Sequence, residues 1–209
     1  MPREAKGSLG SRLYELQQRK TPLDFKPLSQ FGWGVYELRE SFEGNAYRMM
    51  YVEPEEGALC AARLQEKIQV RDRPAEAGRG VDRRTLTAGA GVRYGGLNMA
   101  KISFEKSSGN VFADIGFTPA EAAELTAKSS LIIAIKDTIE QRKLTQQEAA
   151  RLCGTDQPTL SKVFRGRLDS VTIDRLAGWL NALGRDVEII VKSRPRMRGR
   201  GRLRVFEAA

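Results

Sequence analysis

Residues 144–166 read LTQQEAARLCGTDQPTLSKVFRG, two short helical segments broken at Cys153-Gly154. Each segment carries its own start signal. Thr145 can cap the first, with Glu148 three residues on reaching back to complete a capping box. Asp156 can cap the second, and Pro158 falls in its first turn, where a missing N–H costs nothing. Ala149, Ala150, Leu152, Leu160 and Val163 supply a small inner face, which leaves Gln157, Thr159, Ser161 and Lys162 outside. A short helix, a tight Gly-containing turn and a second helix with polar N-terminal residues form the helix-turn-helix arrangement. In that arrangement the second helix enters the DNA major groove. The alternative is an ordinary α-hairpin whose polar face is merely wet.

Groove geometry assigns roles along this segment. Gln157 can bond an adenine through both amide atoms, and Lys162 can reach guanine acceptors. Thr159 and Ser161 can address a base or a phosphate, and Gln146 stands where the first helix turns its amides toward the sugar-phosphate backbone. Arg165 and Arg167 are placed to neutralise phosphates. One such module offers a small contact area, so a homodimer on a palindromic double-stranded operator is expected, with half-sites about 34 Å apart.

Composition agrees. The net charge of +9 and a pI near 9.8 favour a polyanionic partner, nucleic acid before membrane. The chain of 209 residues has no histidine, which excludes Ser-His-Asp and Cys-His catalysis and histidine metal sites. Its two cysteines, Cys60 and Cys153, are far apart, so neither a disulfide framework nor a zinc site is expected, and no cofactor. Cys153 reads as a small buried filler at the turn. No apolar run approaches a membrane span and the first residues lack the hydrophobic core of a signal peptide, which together suggest a reducing cytoplasm.

Outward from the central segment the chain divides into zones. Before it, Thr118-Pro119-Ala120-Glu121 gives cap, proline and capping-box glutamate in order, opening a long helix to about Arg142. Leu125, Ile132, Ile135 and Ile139 fall on one face of that helix. After it, Thr172 can cap a helix IDRLAGWLNAL, stopped by Gly184, with Leu176, Trp179, Leu180 and Leu183 as its core stripe. Residues 186–191, DVEIIV, read as a strand, and the dimer contact is expected at its edge or at the face bearing Trp179. The tail RPRMRGRGRLRVF alternates arginine and suits either a phosphate backbone or an exposed strand. At the other end, residues 1–60 show a helix-like stretch around Leu13, Leu16 and Gln17. Gly32-Trp33-Gly34 then leads into GVYELRE and NAYRMMYVE, alternating runs that read as antiparallel strands around a turn at Phe42-Glu43-Gly44-Asn45. Residues 61–98 have little apolar periodicity and many Arg and Gly, a linker-like, disordered composition. The fold class expected is α+β.

The stretch from Met99 to residue 191 resembles the HigA-type antitoxins of the Cro/cI, XRE-like helix-turn-helix class. The features that carry this are SSGNVFADIGF, LTQQEAARLCGTDQPTLSKVFRGRL and LNALGRDVEIIV, in that order. The resemblance implies an autorepressor that recognises a RelE-like toxin through the segment before its long helix. Residues 1–60, through SRLYELQQ, PLSQFGWGVYELRE and AYRMMYVE, resemble more weakly the RelE-superfamily HigB toxins, also described as Gp49-like. These are ribosome-dependent messenger-RNA nucleases whose genes commonly precede the antitoxin gene. Arg39, Tyr47 and Arg48 match the toxin motif, but the opening strand and the later lysine-rich segment of that fold are not matched. The resemblance therefore implies an inactive remnant rather than an enzyme; the alternative is a bifunctional fusion whose first half still cleaves messenger RNA.

The expected organisation is a toxin remnant at 1–60, a disordered junction at 61–98, a helix-turn-helix domain at 99–192 and an arginine-rich tail at 193–209. Read one base later, synonymous codons for residues 64–77 permit Phe-Lys-Lys-Lys-Ser-Lys-Ser-Gly-Ile-Ala-Arg-Pro-Lys, close to the missing toxin tail. The same frame permits a stop across Leu97 and Asn98. The junction is thus expected to be out-of-frame text joining two neighbouring genes; codons at the locus that forbid the shifted reading would end that idea.

Overall fold

A computed structural model of the chain describes residues 1–22, 25–28, 35–52, 60–61, 64–68, 93–94, 97–98, 105–193 and 203–206. The architecture is α+β, in two compact units, Met1–Ile115 and Gly116–Ala209.

In the first unit, helix α1 (Arg3–Gln17) precedes a hairpin of β2 (Val35–Phe42) and β3 (Asn45–Val52). Alternation in both runs produces the ladder expected from sequence, with Phe42 opposite Asn45 at the tight end. The turn is possible because Glu43 and Gly44 both take positive φ, 48° and 71°, the twist that two-residue hairpin loops require. Strand β1 (Phe25–Pro27) pairs with β2, and β4 (Cys60–Ala61) and β5 (Leu64–Ile68) both pair with β3. A two-residue ladder joins β6 (Arg93–Tyr94) to β7 (Leu97–Asn98). Strand β8 (Glu105–Lys106) adds to β4, and α2 (Val111–Asp114) closes the unit. Period-two alternation puts Leu38 and Glu40 on one sheet face with Tyr47, Met49 and Tyr51. Helix α1 lies against that face through Ser8 and Arg12, and Leu9, Leu13, Leu38, Met49 and Tyr51 are buried. The strand β5 falls inside the stretch expected to be linker-like; most of the remainder of that stretch lies outside the described residues, as do Gly32-Trp33-Gly34 and most of the arginine tail.

The second unit is helical among its described residues. Helix α3 (Pro119–Gln141) opens on the full capping box of Thr118 and Glu121 and ends where Lys143 takes a left-handed φ of 53°. Then follow α4 (Gln146–Leu152), α5 (Gln157–Phe164), a 3-10 turn at Leu168–Ser170 and α6 (Ile173–Ala182). Leu125, Ile132, Ile135 and Ile139 of α3 are buried, as are Leu160, Val163, Leu176, Trp179 and Leu180.

Three expectations need correction here. Thr172 does stand at the N-cap of α6, but its side chain makes no cap bond and instead hydrogen-bonds Asp174. Residues 186–191 form no strand: Ile189 and Val191 are 86% and 94% exposed, because β-branched residues need a ladder partner and none faces them among the described residues. Leu152 is exposed rather than part of the inner face. Trp179 is buried, as its place in the core stripe predicts, with Arg175 over its ring at 5.4 Å.

Candidate nucleic-acid interface

The two short helices are held by their own ends. Thr145 accepts from the Glu148 N–H at 3.2 Å, while Glu148 Oε2 accepts from the Thr145 N–H and hydroxyl, each at 2.8 Å. The chain leaves α4 through Gly154 at φ 62°, and the Thr155 N–H closes on the Ala150 carbonyl at 2.9 Å. A left-handed residue there is the low-strain way to reverse direction within a few residues. Asp156 then caps α5, accepting from the Thr159 N–H at 2.7 Å and the Thr159 hydroxyl at 2.8 Å. Ala149, Ala150, Leu160 and Val163, all nearly or fully buried, lock the pair. Cys153 is only half-buried; its thiol lies 3.9 Å from the Trp179 carbonyl, and burial pushes its pKa up.

Gln146, Gln157, Lys162 and Arg165 are exposed, and Thr159, Ser161 and Arg167 are half-buried. Positions 157, 161 and 165 recur every four residues and therefore line one face of α5 and its C-cap. The structure adds a contact that sequence reasoning missed. Gln157 Nε2 donates to Gln146 Oε1 at 3.1 Å, across the turn. An amide nitrogen has two hydrogens, so Gln157, an exposed residue, retains one N–H and its carbonyl oxygen for a further partner. Thr159 is more committed than expected, since its hydroxyl donates to the cap.

The caps are electrostatic as well as geometric. The backbone N–H and then the hydroxyl of Thr145 hold Glu148 below its usual carboxylate range, and the N–H and hydroxyl of Thr159 do the same for Asp156. A carboxyl whose folded pKa is lowered contributes stability above its unfolded pKa and loses it as pH falls through the folded value. Helicity at α4 and α5 should therefore fray as pH drops below about 4, the unfolded carboxylate range. Asparagine caps as well as aspartate but does not titrate, so Asp156→Asn should remove its share of that acid response in amide exchange at Thr159. An unchanged pH profile would count against the cap.

Of the toxin-motif residues, two meet and the third stands apart. Arg39 and Arg48 are direct cross-strand partners on one sheet face. Both reach Glu37, which is fully buried, at 2.8 and 3.3 Å. Tyr47 stands opposite Glu40 on the other face, the one α1 covers, and is 6% exposed. Adjacent residues in a strand point to opposite faces, so the Tyr47-Arg48 dipeptide carried that signal in the sequence. Among the described residues no group of acidic or cysteine side chains is arranged to hold a metal, and no described helix is long and apolar enough to cross a membrane.

Comparison with known proteins divides the chain as the geometry does, with one offset. Residues 111–192 match the family model described as a helix-turn-helix domain, and residues 1–67 match that of the phage-derived Gp49-like proteins. A solved structure named as an XRE family transcriptional regulator is 35% identical, with 42% of this chain and 99% of that chain covered at a TM-score of 0.39. No curated protein matches. The first five residues of the helix-turn-helix match, 111–115, pack in the Gp49-like unit.

Proposed function

We propose that this chain is a sequence-specific DNA-binding transcriptional regulator, an autorepressor of antitoxin type, with a Gp49-like half that no longer cleaves RNA. The observation that carries the DNA reading is α5. Its apolar side is fixed by Leu160 and Val163, its start by Asp156, and its outward edge presents Gln157, Ser161, Lys162 and Arg165. A rigid helix with hydrogen-bonding groups at its N-terminal end and cations toward its C-terminal end is what major-groove readout needs.

The protein acts as a homodimer on a palindromic operator, and the exposed apolar residues Ile189, Ile190 and Val191 offer one surface for a second copy. Affinity should fall steeply with salt because each neutralised phosphate releases counterions. Arg165→Ala should flatten the log–log salt slope by about 0.9 and weaken binding equally on all sequences. A salt-independent affinity in the wild-type protein would sink the reading.

Inertness of the Gp49-like half rests on Glu37, whose carboxylate already engages both Arg39 and Arg48, and on Tyr47 standing on the opposite face. Ribosome-dependent cleavage of messenger RNA by the full chain would instead favour a bifunctional toxin–antitoxin fusion.

A further inference from the structure

Helix α3 carries a cation among its core residues. Lys128 is 8% exposed and lies between Leu125, Leu131 and Ile132 in the helix, all of them buried. Among the described residues of the helical unit it is the only buried cation. Taking an ammonium out of water is unfavourable unless hydrogen bonds answer it, so its partners say what the burial serves. Lys128 Nζ lies 2.8 Å from Glu124 Oε1, one turn back, and donates to the Leu168 carbonyl at 3.3 Å, 40 residues on. An i, i+4 ion pair forms equally well on an exposed helix face. The bond to Leu168 is the one that needs the lysine inside.

Leu168 opens the 3-10 turn that follows α5, with its side chain buried. Arg167 is the N-cap of that turn. Its N–H donates to the Lys162 carbonyl at 3.2 Å, which ties it to α5. Its carbonyl accepts from the Ser170 hydroxyl at 2.7 Å and from the Ser170 N–H at 3.3 Å. The backbone of Arg167 is therefore held from α5 on one side and, through the neighbouring Leu168 peptide, from α3 on the other.

We infer that Lys128 is a positioning residue for DNA binding: from inside the core it holds the turn after α5 and so sets where Arg167 meets a phosphate. That role presupposes α5 as a major-groove helix, the reading already proposed. Lys128 itself, being buried, stays off the duplex and acts through Arg167.

The test is a double-mutant cycle on the full chain. Lys128→Met keeps a flexible buried stem and removes the ammonium, and Arg167→Ala removes the phosphate contact. Counterion release is blind to sequence, so a mixed-sequence duplex of about 30 base pairs, titrated between about 50 and 200 mM salt, is a sufficient probe. Each single variant should flatten the log–log salt slope by about 0.9, one phosphate contact. The double variant should show the same loss and not twice it, because the two residues act in series. A merely structural lysine would lower the binding-competent fraction equally at every salt concentration and leave the slope alone. In the protein without DNA, Lys128→Met should speed amide exchange at Arg167 and Ser170 and leave Thr155, between α4 and α5, unchanged. An unaltered slope for Lys128→Met, slope losses that add in the double variant, or unchanged exchange at Arg167 and Ser170 would each overturn the inference while leaving the DNA reading intact. A wild-type chain whose affinity for the duplex ignores salt would sink the DNA reading, and the positioning role with it.

Discussion

Arg12→Met is expected to destabilise the Gp49-like unit by about 3–5 kcal/mol, the range found when one partner of a buried ion pair is removed. Arg12 and Glu40 are 4% and 5% exposed. Arg12 Nη2 lies 2.5 Å from Glu40 Oε2, the Ser8 hydroxyl donates to the same oxygen at 2.7 Å, and Arg12 Nη1 donates to the Arg39 carbonyl. Without the guanidinium, Glu40 would be a buried carboxylate that has lost the cation offsetting its desolvation. The double variant Arg12→Met/Glu40→Leu should recover most of the loss, because a buried pair replaced by apolar residues of similar volume is often neutral. Amide hydrogen exchange resolved by peptide is the suitable measurement, as it separates α1 and the hairpin from the helices of the second unit. Peptides from α3 to α6 should not change. A loss below about 1 kcal/mol for Arg12→Met would place this pair among exposed ones in its energetics and deny it a role in seating α1.

The same helix shows where sequence reasoning runs out. Helices α3, α4 and α5 announce themselves because Thr118, Thr145 and Asp156 are local signals, each acting within three residues. The hairpin is equally local, through alternation and a Glu-Gly turn. Helix α1 is not. It starts behind Pro2 with no side-chain cap, and Gly7, Ser8, Gly10 and Ser11 all lower its intrinsic helicity. Those small residues make sense only once the sheet and the segment 107–115 are in place, nearly a hundred residues away in the chain. Residues 186–191 fail in the opposite direction. Their β-branched side chains carry strand propensity, but propensity describes how a residue fits a sheet and supplies no neighbour. On α4 and α5 the capped helix ends and the exposed positions were legible and the coupling across the turn was not. Helical periodicity relates positions within one helix, and Gln146 and Gln157 lie on two, joined across a turn whose geometry depends on Gly154.

That coupling sets the second large effect. Gln157→Ala should cost roughly 1–3 kcal/mol of discrimination at a single base-pair position, the worth of one bidentate contact to adenine. The pairing requires one donor and one acceptor from the same amide, the pair Gln157 retains after giving a hydrogen to Gln146. Gln146 therefore acts partly by fixing the rotation of that amide, and Gln146→Ala should relax specificity at the same position although the residue belongs to α4. Residues in one hydrogen-bond network are non-additive, by about 0.5–3 kcal/mol in double-mutant cycles. The double variant should accordingly lose less than the sum of the single losses. Titrations against operators carrying each of the four base pairs at the affected position measure both quantities. If Gln157→Ala weakens all four equally, the glutamine touches phosphate rather than a base. If the two single losses simply add, the 3.1 Å contact does not orient the reading amide, and Gln146 serves only the backbone.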